Sequence, residues 1–139
     1  MIAIDSSVLI DLIGGDARAG AAEDAVRAAL TQGPVVACDV VIGEVVAALG
    51  SGSVLMDALD DSGIGFAPLD LRSAVRAGEM QRRYKERLRV SKVAEVPRSV
   101  PDFLIGAHAL MQCRALITRD AGFFRDYFKG LKLIVPKAP

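Results

Sequence analysis

Short apolar runs alternate along the chain with segments in which apolar residues recur every three or four positions. The first run, residues 1–4, stops at Asp5-Ser6-Ser7, whose short oxygen-bearing side chains are typical of helix caps. Gly14 and Gly15 then end the helix that follows. Strands that alternate with helices favour an α/β fold, in which a mostly parallel central sheet has helices on both faces.

The same pattern predicts the remaining elements. Pro101 and Asp102, close to the start of one apolar segment, are typical of the first turn of a helix. We predict further strands at residues 34–38, 66–69, 115–118 and 131–135. We predict helices at residues 16–30, 40–49, 53–61, 71–89, 99–113 and 122–128, with a loop at residues 90–100.

The length and composition suit one domain. A chain of 139 residues with 52% hydrophobic residues is close to the commonest domain size and can bury a core, so we expect a single domain over residues 1–139. No apolar run approaches the roughly 20 residues that cross a bilayer, and the first residues carry acids where a signal peptide carries lysines. The expected location is the cytoplasm.

The net charge of zero hides two oppositely charged halves. Residues 1–71 carry two basic and eleven acidic side chains, a net charge of −9. Residues 72–98 carry nine basic and three acidic side chains (+6), and residues 99–139 carry six basic and three acidic ones (+3). An evenly spread neutral charge would argue against a nucleic-acid partner, but this basic half permits one.

Glu44 is the most unusual acid, because all the residues three and four positions away on its predicted helix are apolar. A carboxylate on such a face has to be neutral, ion-paired or bound to a cation, since burying it bare costs several kcal/mol. Two interpretations remain open: an ion pair with an arginine of the basic half, or a metal site.

Three further acids stand where a ligand could bind. Asp5 and Asp120 each follow a predicted strand, and ligands of parallel sheets bind outside the carboxyl ends of the strands. Each acid alone also has an ordinary explanation as a turn or cap residue, and Asp102 could form a capping box with Ser99. Taken together, four acids predict one carboxylate pocket: Asp5, Glu44, Asp102 and Asp120.

The available ligand types restrict the metal. Cys38 and Cys113 stand far apart and His108 is the single histidine, so a structural zinc site is excluded by ligand count. We interpret His108 as a packed helix residue. Oxygen ligands suit Mg²⁺ or Mn²⁺, and without metal one carboxyl of such a cluster should have a raised pKa. Hydrogen-bonding support for the acids is expected from Ser6, Ser7 and Thr118.

Four arginines of the helix predicted at residues 71–89 fall on one stripe, which could follow a phosphate backbone. Glu79 and Glu86 lie three or four residues from several arginines, so an exposed face with internal ion pairs is an equal alternative. The stripe consists of Arg72, Arg76, Arg83 and Arg87.

Four segments carry a family resemblance: IDSSVLIDL, CDVVIGEVVAAL, VPDFLIGAHAL and LITRDAGFFRDYF. In this order they closely resemble the PIN-domain family of metal-dependent ribonucleases, and in particular the VapC-type toxins of prokaryotic toxin–antitoxin pairs. The resemblance covers nearly the whole chain, and Ser6 and Ser7 fit the family pattern after the first acid. The family's metal-binding acids match Asp5, Glu44, Asp102 and Asp120.

The resemblance implies a Mg²⁺-dependent endoribonuclease, with Mn²⁺ as a substitute, that hydrolyses phosphodiester bonds in structured RNA such as tRNA or ribosomal RNA through metal-activated water. It also implies a homodimer and a cognate antitoxin protein. We expect residues 82–98 to influence which RNA is cut.

Two other function classes remain open. A non-catalytic PIN-like domain would bind RNA or protein without cutting, although intact acids disfavour it. A phosphatase or receiver-like domain with a nucleophilic aspartate resembles this chain only at the first strand, and Ser7 stands where the phosphatase pattern has a second aspartate.

Overall fold

The computed structural model describes residues 1–90 and 98–137, so most of the loop predicted at residues 90–100 lies outside the described residues. The strands are β1 (Ile2–Ile4), β2 (Val35–Ala37), β3 (Gly65–Phe66), β4 (Ala115–Ile117) and β5 (Lys132–Ile134). The helices are α1 (Ser6–Gly14), α2 (Ala19–Leu30), α3 (Asp39–Leu49), α4 (Gly52–Ser62), α5 (Leu71–Val90), α6 (Val100–Gln112) and α7 (Ala121–Tyr127).

The strands form one parallel sheet in the order β3-β2-β1-β4-β5. The chain moves outward from β1 to β2 and β3, then crosses back to β4 on the other side of β1. Because crossover connections between parallel strands are right-handed, this reversal places helices on both faces of the sheet. The predicted α/β architecture is confirmed, and the reversal opens a crevice at the carboxyl ends of β1 and β4.

The central strands are apolar on both faces because helices cover both. Every residue of β1, β2 and β4 is buried, as expected for a parallel sheet inside an α/β fold. A second part of the core is aromatic, with Phe103 of α6 in edge-to-face contact with Phe123 of α7 at 5.2 Å between ring centroids. This packing fixes the position of α7 beside the crevice.

The structure corrects some predicted boundaries. The strand predicted at residues 66–69 is only the two-residue β3, because its partner β2 ends at Ala37 and the Leu69 N–H donates to the side chain of Asp39 instead. The helix predicted at residues 40–49 begins one residue earlier, at Asp39. Ser99 does occupy the N-cap of α6, but its side chain accepts no backbone N–H there, so the capping box with Asp102 does not form.

None of the helices within residues 1–90 and 98–137 is both long and apolar enough to cross a bilayer.

Gly106 allows α6 to approach Phe128 closely. A Cβ at position 106 would lie within 3.0 Å of three atoms of the Phe128 ring, and both residues are buried. We predict that Gly106→Ala lowers the free energy of unfolding by about 1–3 kcal/mol through overpacking. Gly78→Ala is the matched control, because the space at this α5 position is open and alanine should stabilise the helix by about 0.5–1 kcal/mol. Urea denaturation measures both, and equal effects would contradict the prediction.

Candidate active site at the carboxyl ends of the central strands

Asp5 lies where β1 ends and α1 begins. Its N–H donates to the carbonyl oxygen of Ile117 in β4 at 2.9 Å, so the sheet holds its backbone. Its Oδ1 accepts the N–H of Ser6 at 2.8 Å, which caps α1. Only 7% of Asp5 is exposed, so this carboxylate is fixed at the bottom of the crevice.

Thr118 connects the acids that follow the two central strands. Its buried Oγ1 donates to Asp5 Oδ2 at 2.7 Å and accepts the backbone N–H of Asp120 at 2.9 Å. One hydroxyl therefore orients the first acid and the loop that carries the fourth. The expected proximity of Asp5 and Asp120 follows from the pairing of β1 with β4.

Glu44 reaches the same place from α3. Ser6 Oγ donates to Glu44 Oε1 at 2.9 Å and lies 3.5 Å from Asp5 Oδ1, while Ser7 Oγ lies 3.4 Å from Asp5 Oδ2. Glu44 is half-buried and forms no ion pair with any residue in the described parts of the chain. The ion-pair interpretation of Glu44 thus gains no support, and its apolar helix face borders the crevice.

The charge of Asp102 acts on the same carboxylate. Asp102 is half-buried in the first turn of α6, and Ser99 Oγ donates to its Oδ2 at 3.4 Å. Burial raises the pKa of the Asp5 carboxyl above its ordinary value, hydrogen bonds from Thr118 and Ser6 oppose the rise, and the negative charges of Asp102 and Glu44 add to it. The carboxyl with a raised pKa, expected from the sequence, is Asp5.

Asp120 has a cationic partner that the sequence did not single out. The guanidinium of Arg98 forms an ion pair with both carboxylate oxygens of Asp120 and lies 4.5 Å from the centroid of the Phe123 ring. The backbone N–H of Arg98 donates to the Tyr84 hydroxyl at 2.9 Å. The ion pair with Asp120 raises the pKa of the Arg98 guanidinium above its ordinary value. The signal in the sequence that could have indicated Arg98 was its position in the basic segment, just before the helix that carries Asp102.

A divalent cation fits this donor set chemically. The donors are all oxygens, the ligand type that Mg²⁺ prefers. Burial and the charges of Asp102 and Glu44 disfavour ionisation of the Asp5 carboxyl, and a bound cation would favour it. Within residues 1–90 and 98–137, however, no three acidic, histidine or cysteine side chains already stand in a metal-binding arrangement. Side-chain rotation would have to complete the site, and Arg98 already neutralises Asp120.

The predicted arginine stripe is divided between two surfaces. Arg72 and Arg76 line a largely apolar pocket between α5 and α6. Arg87 instead lies 5.1 Å from the centroid of the Tyr127 ring and borders a different, basic pocket beside α7. Arg83 is exposed. The described residues also show that Glu86 pairs with Arg82 at 3.2 Å rather than with an arginine of the stripe.

The histidine and the cysteines lie outside this carboxylate group. His108 is 1% exposed in α6, and burial lowers the pKa of its imidazole. Its Nε2 has no hydrogen-bond partner among the described residues. Both cysteines are free thiols, and burial raises the pKa of Cys113 to about 11. These residues supply packing rather than reactive groups at the crevice.

Comparison with known proteins identifies the family. The model of the PIN domain matches residues 2–129, and the chain belongs to this family. No protein in the curated comparison matches the sequence.

Solved structures share the fold at low sequence identity. VapBC2 from Rickettsia felis, bound to a DNA fragment from its promoter, has a TM-score of 0.75 at 15% identity over 99% of this chain and 100% of that one. The DNA-bound VapBC from Salmonella typhimurium has a TM-score of 0.70 at 12% identity over 96% of each chain. VapC20 from Mycobacterium tuberculosis, described as a toxin that cleaves the sarcin–ricin loop, has a TM-score of 0.63 at 18% identity over 94% of this chain and 98% of that one.

Replacing Thr118 tests the connection between the acids. Thr118→Val keeps the shape of the side chain but leaves Asp5 Oδ2 and the Asp120 N–H without their shared partner. We predict a loss of about 1–3 kcal/mol in the free energy of unfolding. Thr118→Ser keeps the hydroxyl and should lose less. Urea denaturation at neutral pH compares the two, and a larger loss in the serine variant would contradict a role for the hydroxyl.

The raised pKa of Asp5 predicts a pH dependence. The unfolded chain releases this proton near pH 3.8, whereas the folded protein keeps it to higher pH. In EDTA, the contribution of Asp5 to stability is therefore complete below pH 3.8 and is lost as pH rises through the folded pKa. Asp102→Asn and Glu44→Gln should each lower that pKa, whereas Asp24→Asn on the exposed face of α2 should not. Carboxyl ¹³C NMR titration of Asp5 measures it, and an Asp5 midpoint at or below 3.8 would contradict the prediction.

Proposed function

We propose that this protein is a Mg²⁺-dependent endoribonuclease that acts as the toxin of a toxin–antitoxin pair. The observation that carries the proposal is the buried Asp5 carboxylate at the crevice of a PIN fold, where the charges of Glu44 and Asp102 act on it and Thr118 connects it to the loop of Asp120. A buried carboxyl surrounded by other acids suits cation binding better than structural support.

Asp5, Glu44, Asp102 and Asp120 would hold the metal, and Mn²⁺ would substitute for Mg²⁺. When bound, the metal supplies activation of water and stabilises charge that develops on the phosphate. Ser6 holds Glu44 near Asp5, and Thr118 holds Asp5 in one orientation. Arg98 balances the charge of Asp120 at the edge of the crevice, where the negative phosphate group has to approach four acids.

The proposed substrate is structured RNA such as tRNA or ribosomal RNA, cut in an exposed loop. The basic charge of residues 72–98 supports an RNA ligand, and one similar structure is that of a toxin that cleaves the sarcin–ricin loop. The proposed protein partners are a cognate antitoxin and a second copy of the chain. The antitoxin proposal is supported by similar structures that are toxin–antitoxin complexes, including one from Klebsiella pneumoniae.

Cleavage of total cellular RNA by the purified, antitoxin-free protein tests the activity. We predict discrete fragments with Mg²⁺ or Mn²⁺, and no cleavage with chelator. Asp5→Asn and Asp102→Asn should each lower the rate at least about 100-fold, because each removes an oxygen ligand or charge from the cation site. Asp24→Asn, which removes an acid from the exposed face of α2, should cut like the unmodified protein.

Cell growth separates the proposal from a non-catalytic PIN-like binding domain. Expression without antitoxin should arrest growth, and Asp5→Asn should relieve the arrest while the protein remains folded by circular dichroism. If Asp5→Asn arrests growth as strongly as the unmodified chain, a non-catalytic domain that binds RNA or protein is favoured instead.

A further inference from the structure

Helix α7 connects the carboxylates to a second group of charged side chains. It begins directly after Asp120, and its Phe123 and Tyr127 stand four residues apart, with ring centroids 5.4 Å from each other. Arg98 lies over Phe123 and Arg87 lies over Tyr127, at 4.5 Å and 5.1 Å from the ring centroids. Residues 123 and 127 are about 6 Å apart in helix rise and lie on the same side of the helix, so their rings hold the two guanidinium groups one after the other along it.

The far end of this row opens into a basic pocket of about 630 Å³ at the surface. Arg87, Arg125 and Lys129 contribute three positive charges to its lining, against one acid, Asp126. All three cations are exposed, and none of them forms an ion pair with another described residue. A pocket with a net charge of about +2 and uncommitted donors is suited to an anionic ligand.

We propose that Arg87, Arg125 and Lys129 bind the phosphate backbone of single-stranded RNA next to the bond that is cut, with Arg98 between this pocket and the carboxylates. This inference rests on the proposed ribonuclease function and assigns a substrate-binding site to it. We call the three pocket cations the α7 cluster. Arginines backed by aromatic rings keep their guanidinium planes oriented, which suits repeated contact with phosphate oxygens.

The continuity of the α7 cluster with the acids favours RNA over an acidic protein segment. The same ligand that contacts Arg87 can continue past Arg98 to Asp120, where the proposed reaction takes place, and sequence-specific RNA recognition favours loops and single strands. The other arginine pair, Arg72 and Arg76, lines a pocket shared with four apolar side chains and Glu79, which suits phosphates less well.

Salt-dependent binding of a fluorescent 12-nucleotide single-stranded RNA of mixed sequence tests the assignment. Binding is measured in EDTA, so that no metal-dependent cleavage interferes, over 50–200 mM salt. Arg87→Gln, Arg125→Gln and Lys129→Gln should each weaken binding by about fivefold and reduce the slope of log Kd against log salt by about 0.7. Arg18→Gln makes the same charge change at an exposed position in the acidic half of the chain and should leave the slope unchanged. Arg72→Gln and Arg76→Gln test the other arginine pocket and should reduce the slope less than the variants of the α7 cluster do.

Each other outcome rejects a specific part of the proposal. If the variants of the α7 cluster bind RNA like the unmodified protein, the cluster is not the RNA site. The same conclusion follows if Arg72→Gln and Arg76→Gln weaken RNA binding instead. If the α7 variants keep RNA binding but lose binding of a poly-glutamate peptide, the site serves an acidic protein. If the unmodified protein binds no RNA at 50 mM salt and cuts none with Mg²⁺, the proposed function itself fails. Thermal denaturation of each variant confirms that it is folded.

Discussion

The buried Asp5 carboxylate is the constraint on which the rest of the site depends. A carboxylate that is only 7% exposed needs hydrogen bonds or a counter-charge, because desolvation otherwise costs several kcal/mol. Thr118 and the Ser6 N–H supply two hydrogen bonds, but the nearby charges of Asp102 and Glu44 are unfavourable. Burial and these charges together outweigh the hydrogen bonds, so the pKa of the Asp5 carboxyl is raised. This imbalance supports the proposed role of the site in binding a cation rather than in stabilising the fold.

Strand order explains why this constraint can exist at all. After β3 the chain crosses back over the sheet to β4, which pairs with the other side of β1. The carboxyl ends of β1 and β4 are therefore neighbours, and the helices that follow them lie on opposite faces of the sheet. The resulting crevice has polar walls although the strands beneath it are entirely apolar. Positive charge is supplied from one side, where Arg98 pairs with Asp120 and the aromatic residues of α7 hold Arg98 and Arg87.

Particular elements show where sequence reasoning succeeded and where it stopped. The order of strands and helices was predicted because the central strands are short apolar runs and glycines end several of the helices, at Gly15, Gly50 and Gly63. The strand at residues 66–69 was predicted too long, since apolar composition does not show which residues find a pairing partner at a sheet edge. The helix predicted at residues 40–49 begins at Asp39, because an aspartate is favourable both at the N-cap and in the first turn of a helix, and its type alone does not separate the two positions.

The sequence by itself determined the alternation of elements and the acidic and basic halves, and it indicated four acids as candidates for one site, because periodicity, charge and residue chemistry are local properties. Only the tertiary structure decided that Thr118 connects Asp5 to the loop of Asp120, that Ser6 reaches Glu44, and that Arg98 pairs with Asp120. These contacts join residues far apart in the chain. Their existence depends on strand order and helix packing, which set distances that no local pattern contains.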